Sequence, residues 1–156
     1  MVTGAGGSIG SELARRVAAF APRRLLLVER FEGALFEIHR ELTQMFSDGA
    51  VLPLVADVTD RARMERIYGE HQPSVVIHAA AHKHVDMMER NPGEAVKNNT
   101  LGTDLLADLA GQHRADSFVF VSTDKAVRPT CVMGARAPPI ALMASKLRSR
   151  STRRVN

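Results

Sequence analysis

The run Thr3-Gly4-Ala5-Gly6-Gly7-Ser8-Ile9-Gly10 constrains this chain more than any other feature, because it sets glycines at 4, 7 and 10 between a strand end and a helix start. Glycine lets a backbone turn sharply and approach a ligand closely. The free N–H groups and positive end of the following helix then favour an anion. Thr3, Gly4, Gly7, Ser8, Ile9 and Gly10 are therefore expected to cradle a diphosphate. The competing reading is a tight strand-to-helix turn with no ligand. Context favours the cradle: Glu29 closes the next apolar run 19 residues after Gly10, where a carboxylate can accept hydrogen bonds from both ribose hydroxyls of a dinucleotide.

Glu29 argues for NAD, since it would repel a 2′-phosphate, but the adjacent Arg30 could bind that phosphate and keeps NADP open. Asp57 and Val58 follow the third apolar run, where they would hold an adenine. Spacing alone leaves an ordinary loop as an equal alternative.

Short aliphatic runs alternate with longer stretches of helical spacing, the pattern of a parallel sheet covered on both faces. Strands are expected at Met1–Thr3, Leu25–Glu29, Val51–Ala56, Ser74–Ala79 and Ser117–Ser122. Helices are expected at Ser8–Phe20, Glu32–Phe46, Arg61–Glu70 and Pro92–Gly111, the first with Ile9, Leu13, Val17 and Phe20 on its apolar stripe. The fold class is α/β, a doubly wound parallel sheet of Rossmann-like type. Beyond Asp124 the pattern decays, with Pro129, Pro138 and Pro139 breaking any long helix.

The chain has 156 residues, enough for one substantial core. No apolar run is long enough to cross a bilayer, no signal peptide precedes the glycine loop, and Cys131 is the lone cysteine, so a cytoplasmic location is expected. The net charge of +4 is unevenly spread: residues 136–156 carry six basic side chains and no acidic one, leaving 15 basic against 17 acidic residues before them. Nucleic-acid binding calls for a basic surface on the folded body, so no nucleic-acid partner is expected.

Three further segments carry a family resemblance: His78-Ala79-Ala80-Ala81-His82-Lys83-His84-Val85; Asn98-Asn99-Thr100-Leu101-Gly102-Thr103; and Ser122-Thr123-Asp124-Lys125-Ala126-Val127 with Pro129-Thr130 and Val132-Met133-Gly134-Ala135. Together with the glycine loop they resemble, over residues 1–135, the nucleotide-sugar 4,6-dehydratases of bacterial surface-polysaccharide synthesis. These form a branch of the extended short-chain dehydrogenases. The resemblance implies that Ala79, Ala80 and Ala81 let a nicotinamide ring lie against backbone and that Asn99 belongs to the cofactor site. The implied substrate is a UDP-linked N-acetylhexosamine, oxidised at C4, stripped of water across C5 and C6, and reduced at C6. In that scheme Thr123 would hold the C4 hydroxyl, Asp124 would protonate the departing C6 hydroxyl, and Lys125 would take the C5 proton. A UDP-sugar 4-epimerase is the alternative enzyme, although it does not require an Asp-Lys pair. His78, His82 and His84 fall close together, but no acidic or cysteine ligand completes a tetrahedron, so no metal is expected and a polar loop over the cofactor is the preferred reading.

The superfamily's usual Tyr-x-x-x-Lys pair is absent: Met133 stands at the tyrosine position and Ala137 at the lysine position. An alanine cannot hold the nicotinamide ribose. The expectation is a partial dinucleotide-binding domain over 1–135, C-terminally incomplete, followed by a basic tail over 136–156 outside the family pattern, as a shifted frame or gene fragment would leave. That makes a catalytically dead NAD-binding remnant the competing functional reading. An unpaired sheet edge would favour homo-oligomers, and any membrane link would run through a missing upstream region.

Overall fold

The computed structural model describes residues 1–46 and 49–122. Five parallel strands form one sheet, in the order Val51–Val55, Leu25–Glu29, Val2–Thr3, Val75–His78, Ser117–Phe120. They are β1 (Val2–Thr3), β2 (Leu25–Glu29), β3 (Val51–Val55), β4 (Val75–His78) and β5 (Ser117–Phe120). Each lies where the apolar runs predict it, with ends shifted by at most two residues, the usual uncertainty of strand boundaries.

The interior strand β2 shows why the sheet is covered on both sides. Leu25, Leu26, Leu27 and Val28 are all buried, yet successive side chains of a strand point to opposite faces. Leu25 and Leu27 pack with Val2, Leu35, Ile38 and Leu42 beneath α1 (Ser8–Ala19) and α2 (Glu32–Met45). Leu26 and Val28 pack with Met64, Ile67, Val76, Leu106 and Leu109 beneath α3 (Arg61–His71) and α6 (Thr103–Gln112). Asp60 caps α3, its carboxylate accepting the Arg63 N–H at 3.0 Å. Pro53 is tolerated because β3 is an edge strand.

Two features depart from the pattern in the sequence. The buried stripe of α1 is Gly10, Ala14 and Ala18; Leu13 and Val17 only flank it, and Ile9 and Phe20 are exposed. At its first turn the helix lies so close to the glycine loop that Gly10 leaves no room for a Cβ. The long helix expected over Pro92–Gly111 is built of α5 (Pro92–Ala95), a π-helical turn over Val96–Gly102, and α6. A short helix α4 (Val85–Arg90) precedes it. Among the described residues no helix is long and apolar enough to cross a membrane.

Candidate dinucleotide site

The chain runs β1-α1-β2-α2-β3 toward one edge, then crosses back through α3 to place β4 on the other side of β1. Open α/β sheets bind ligands at the carboxyl ends of the strands where the order reverses in this way. Here that point holds a cleft of about 520 Å³. Gly4, Gly6 and Gly7 line it from the loop, Glu29 and Arg30 from the end of β2, and Ala79 to His82 from the end of β4.

The glycines do different work. Gly4 has φ +67°, and a Cβ there would sit 2.7 Å from the Ala80 backbone. At Gly10 a Cβ would stand 1.9 Å from the Gly4 carbonyl oxygen. At Gly6 it would meet the Ala34 side chain at 2.5 Å. Gly7 alone of the four is open: its nearest neighbour would be the Gly4 oxygen at 3.3 Å, and the residue is exposed on the cleft. Directly after it α1 begins, with no acidic side chain in its first turn. The first N–H groups of a helix have no intrahelical acceptor. An open glycine face, unpaired helix-start amides and a positive dipole end fit a diphosphate.

Glu29 anchors the second wall. Its Oε2 accepts the Gly6 N–H at 3.2 Å, and its Oε1 accepts the N–H groups of Arg30 and Phe31 at 2.9 and 3.1 Å. A carboxylate has about four acceptor positions, so room remains for a hydroxyl donor. The Arg30 guanidinium lies 3.7 Å from Asp57 Oδ2 and 3.5 Å from His82 Nε2, spanning the mouth of the cleft. Asp57 Oδ1 accepts both the N–H and the hydroxyl of Thr59 at 2.8 Å. Burial opposes charge on Asp57, but the Thr59 donors together with Arg30 and Lys97 outweigh it and hold the carboxyl below its ordinary value.

The third wall is pinned from behind. Asn99 grips the backbone of His82 at both ends, Oδ1 accepting its N–H at 2.8 Å and Nδ2 donating to its carbonyl at 3.0 Å. Asn98 donates to the same Asn99 Oδ1 at 3.0 Å and also lines the cleft. Both asparagines lie in the π-helical turn, Asn99 holding the loop directly and Asn98 bracing Asn99. Burial first, and the Arg30 charge second, push the His82 imidazole below its ordinary pKa. His78 is fully buried, with Nδ1 2.6 Å from the Thr3 hydroxyl and Nε2 2.9 Å from that of Thr103.

Of the residues expected at a cofactor, Gly4, Gly7, Glu29, Arg30, Val58, Ala79, Ala80 and Ala81 line the cleft. Ser8, Ile9 and Gly10 form the adjoining first turn of α1. Thr3, Asp57 and Asn99 stand behind the lining and hold it in place: Thr3 through His78, Asp57 through Arg30, Asn99 through His82. His82 and His84 line the cleft as the polar loop expected over the cofactor, whereas Gly6 and Asn98 line it without having been singled out. The Gly6-Gly7 doublet could have pointed to Gly6; nothing in the sequence marks a buried asparagine as a cleft wall. Thr123, Asp124, Lys125 and Met133 lie outside the described residues.

Comparison with known proteins agrees with this geometry. A family model described as "Polysaccharide biosynthesis protein" matches residues 1–154, a span that takes in most of the basic segment. The chain is 46% identical over 136 residues to the capsular polysaccharide biosynthesis protein CapD of Staphylococcus aureus and 48% identical over 136 residues to the probable polysaccharide biosynthesis protein EpsC of Bacillus subtilis. Each match covers 86% of this chain and 23% of the relative. It is 29% identical over 136 residues to a UDP-N-acetylglucosamine 4,6-dehydratase (inverting) of Campylobacter jejuni, covering 86% of this chain and 39% of that protein. The chain thus spans well under half the length of these relatives. Among solved structures, Pen from Bacillus thuringiensis superposes with a TM-score of 0.85 at 27% identity, covering 96% of this chain and 45% of that one. The dTDP-glucose 4,6-dehydratase DesIV of Streptomyces venezuelae, solved with NAD and TYD bound, gives 0.75 at 22% identity over 92% of this chain and 49% of that one, a likeness of fold.

Proposed function

The chain belongs to the polysaccharide biosynthesis protein family, and from that premise we propose that it is the dinucleotide-holding region of a UDP-N-acetylhexosamine 4,6-dehydratase acting in the cytoplasm on surface-polysaccharide precursors. The observation that carries this reading is the open face of Gly7 beside the start of α1 in a cleft of about 520 Å³. The glycine loop and the first amides of α1 would hold the diphosphate. Glu29 would accept the ribose hydroxyls, and Ala79 to Ala81 offer a wall without bulk for a flat ring. The names of relatives support the substrate class: one is a UDP-N-acetylglucosamine 4,6-dehydratase.

Held by the glycine loop, Glu29 and the Ala79–Ala81 wall, NAD would supply hydride acceptor and donor chemistry in turn, which leaves the overall reaction redox-neutral. Thr123 would hold the C4 hydroxyl. Lys125 would remove the C5 proton, which the C4 ketone acidifies, and Asp124 would give a proton to the C6 hydroxyl as it leaves as water. Met133 stands where related enzymes carry tyrosine and would line the site without exchanging a proton.

Incubating the purified chain with NAD and UDP-N-acetylglucosamine and following a 4-keto-6-deoxy product tests the reading. Turnover supports the dehydratase. Tight NAD binding without turnover supports the catalytically dead alternative, which the alanine at position 137 favours.

A further inference from the structure

Behind the cleft, the His78 imidazole joins three elements. The Thr103 hydroxyl donates to the Asn99 carbonyl at 2.7 Å, so its single proton is committed there. The oxygen of Thr103 therefore accepts from His78, which puts the ring proton on Nε2, 2.9 Å away. Nδ1 is then the acceptor, and the Thr3 hydroxyl donates to it at 2.6 Å. The ring also stacks on Phe120 of β5, with centroids 5.6 Å apart, and the His78 carbonyl accepts the Val121 N–H at 3.0 Å.

The elements so joined are the ones that form the cleft. Thr3 is the last residue before Gly4, whose missing Cβ lets it approach the Ala80 backbone. Asn99, reached through Thr103, grips the His82 backbone. We propose that His78 is a positioning residue, a neutral Nε2–H relay that fixes the spacing between the glycine loop and the Ala79–His82 wall and thereby sets dinucleotide affinity. This rests on the dinucleotide reading above. It adds a residue that touches no ligand and a chain of directed hydrogen bonds, Thr3 to His78 to Thr103 to the Asn99 carbonyl. The directions matter because the Thr103 proton is already committed: in the other tautomer Nε2 would face the Thr103 oxygen with no proton between them.

Two side chains can each reproduce half of the ring. In His78→Asn the amide oxygen stands near Nδ1 and can accept from Thr3; in His78→Gln the terminal amide reaches toward Nε2 and can donate to Thr103. His78→Leu keeps bulk and does neither. NAD affinity by calorimetry on the full chain is expected to fall at least about tenfold in His78→Leu and about threefold in either half-mimic, the scale of one or two neutral hydrogen bonds. Thr3→Val is expected to weaken binding further in the Asn variant and not in the Gln variant, and Thr103→Val the reverse. A packing role alone would rank the three variants by volume and show no such crossed pattern, and that result overturns the proposal. Nitrogen NMR of the wild-type ring at neutral pH gives a readout independent of any ligand: a protonated Nε2 and bare Nδ1 are expected, and a protonated Nδ1 overturns the relay. If the folded wild-type chain binds no dinucleotide, the dinucleotide reading fails and so does the effect on affinity. A ring found in the Nε2–H form would then show which of the two had been wrong.

Discussion

Glu29 and Gly6 meet across the floor of the cleft, the carboxylate Oε2 of one accepting the backbone N–H of the other at 3.2 Å. The same carboxylate also takes the amides of Arg30 and Phe31, so it ties the end of β2 to the glycine loop and is held in one orientation. A carboxylate fixed in this way cannot swing aside for a 2′-phosphate.

The first prediction follows from that fixity. The chain should bind NAD at least about tenfold more tightly than NADP, the order expected from a close like-charge contact in a partly buried site. Glu29→Ala should erase most of that preference and weaken NAD about tenfold, through the lost ribose acceptor and the loosened loop. Calorimetric titration of both cofactors against both proteins measures the four constants; equal affinities in the wild type would contradict the argument.

Two glycines should separate folding from binding. Gly10→Ala drives a methyl to within 1.9 Å of a backbone oxygen, and backbone cannot move aside cheaply. It should destabilise the fold by about 3 kcal/mol or more in urea denaturation. Gly7 has φ −73°, which alanine adopts freely, and its methyl would meet one atom at 3.3 Å. Gly7→Ala should change stability by under about 1 kcal/mol while weakening NAD at least about tenfold, because the methyl occupies the face a diphosphate must approach.

The buried ring at 78 gives a pH signature. Burial lowers its pKa from the ordinary 6.5 to about 4. Between those values the unfolded chain takes up a proton that the folded chain refuses, so stability is full above about pH 6.5 and falls as the pH drops toward 4. The loss attributable to this group is about 3 kcal/mol. Denaturation at pH 7, 6 and 5 should show the decline in the wild type, and His78→Gln should flatten that part of the curve.

How much of this was legible in the residues differs from element to element. Leu25 to Val28 announce an interior strand because four consecutive apolar side chains need cover on both faces, and Glu29 follows from its distance to Gly10. The stripe on α1 misleads, since hydrophobicity favours Leu13 and Val17 while the buried stripe is Gly10, Ala14 and Ala18, with Gly10 too close to the Gly4 carbonyl for any side chain. Periodicity reports which side chains shun water, not how near a helix must lie. The π turn and the Asn99 clamp were out of reach for another reason: both depend on where the loop after β4 runs relative to the helix, a tertiary relationship that no local spacing encodes. Asn99 was marked by the family pattern, but its part in gripping His82 appears only when both are placed.

The central claim is that the amides at the start of α1, beside the open face of Gly7, hold the diphosphate of an adenine dinucleotide. Calorimetric titration of the folded chain with NAD, followed by competition with ADP-ribose, addresses it most directly. One site per chain is expected, displaced by ADP-ribose and lost in Gly7→Ala. A chain that is folded by circular dichroism and yet gives no binding heat with NAD or NADP at several temperatures would contradict it.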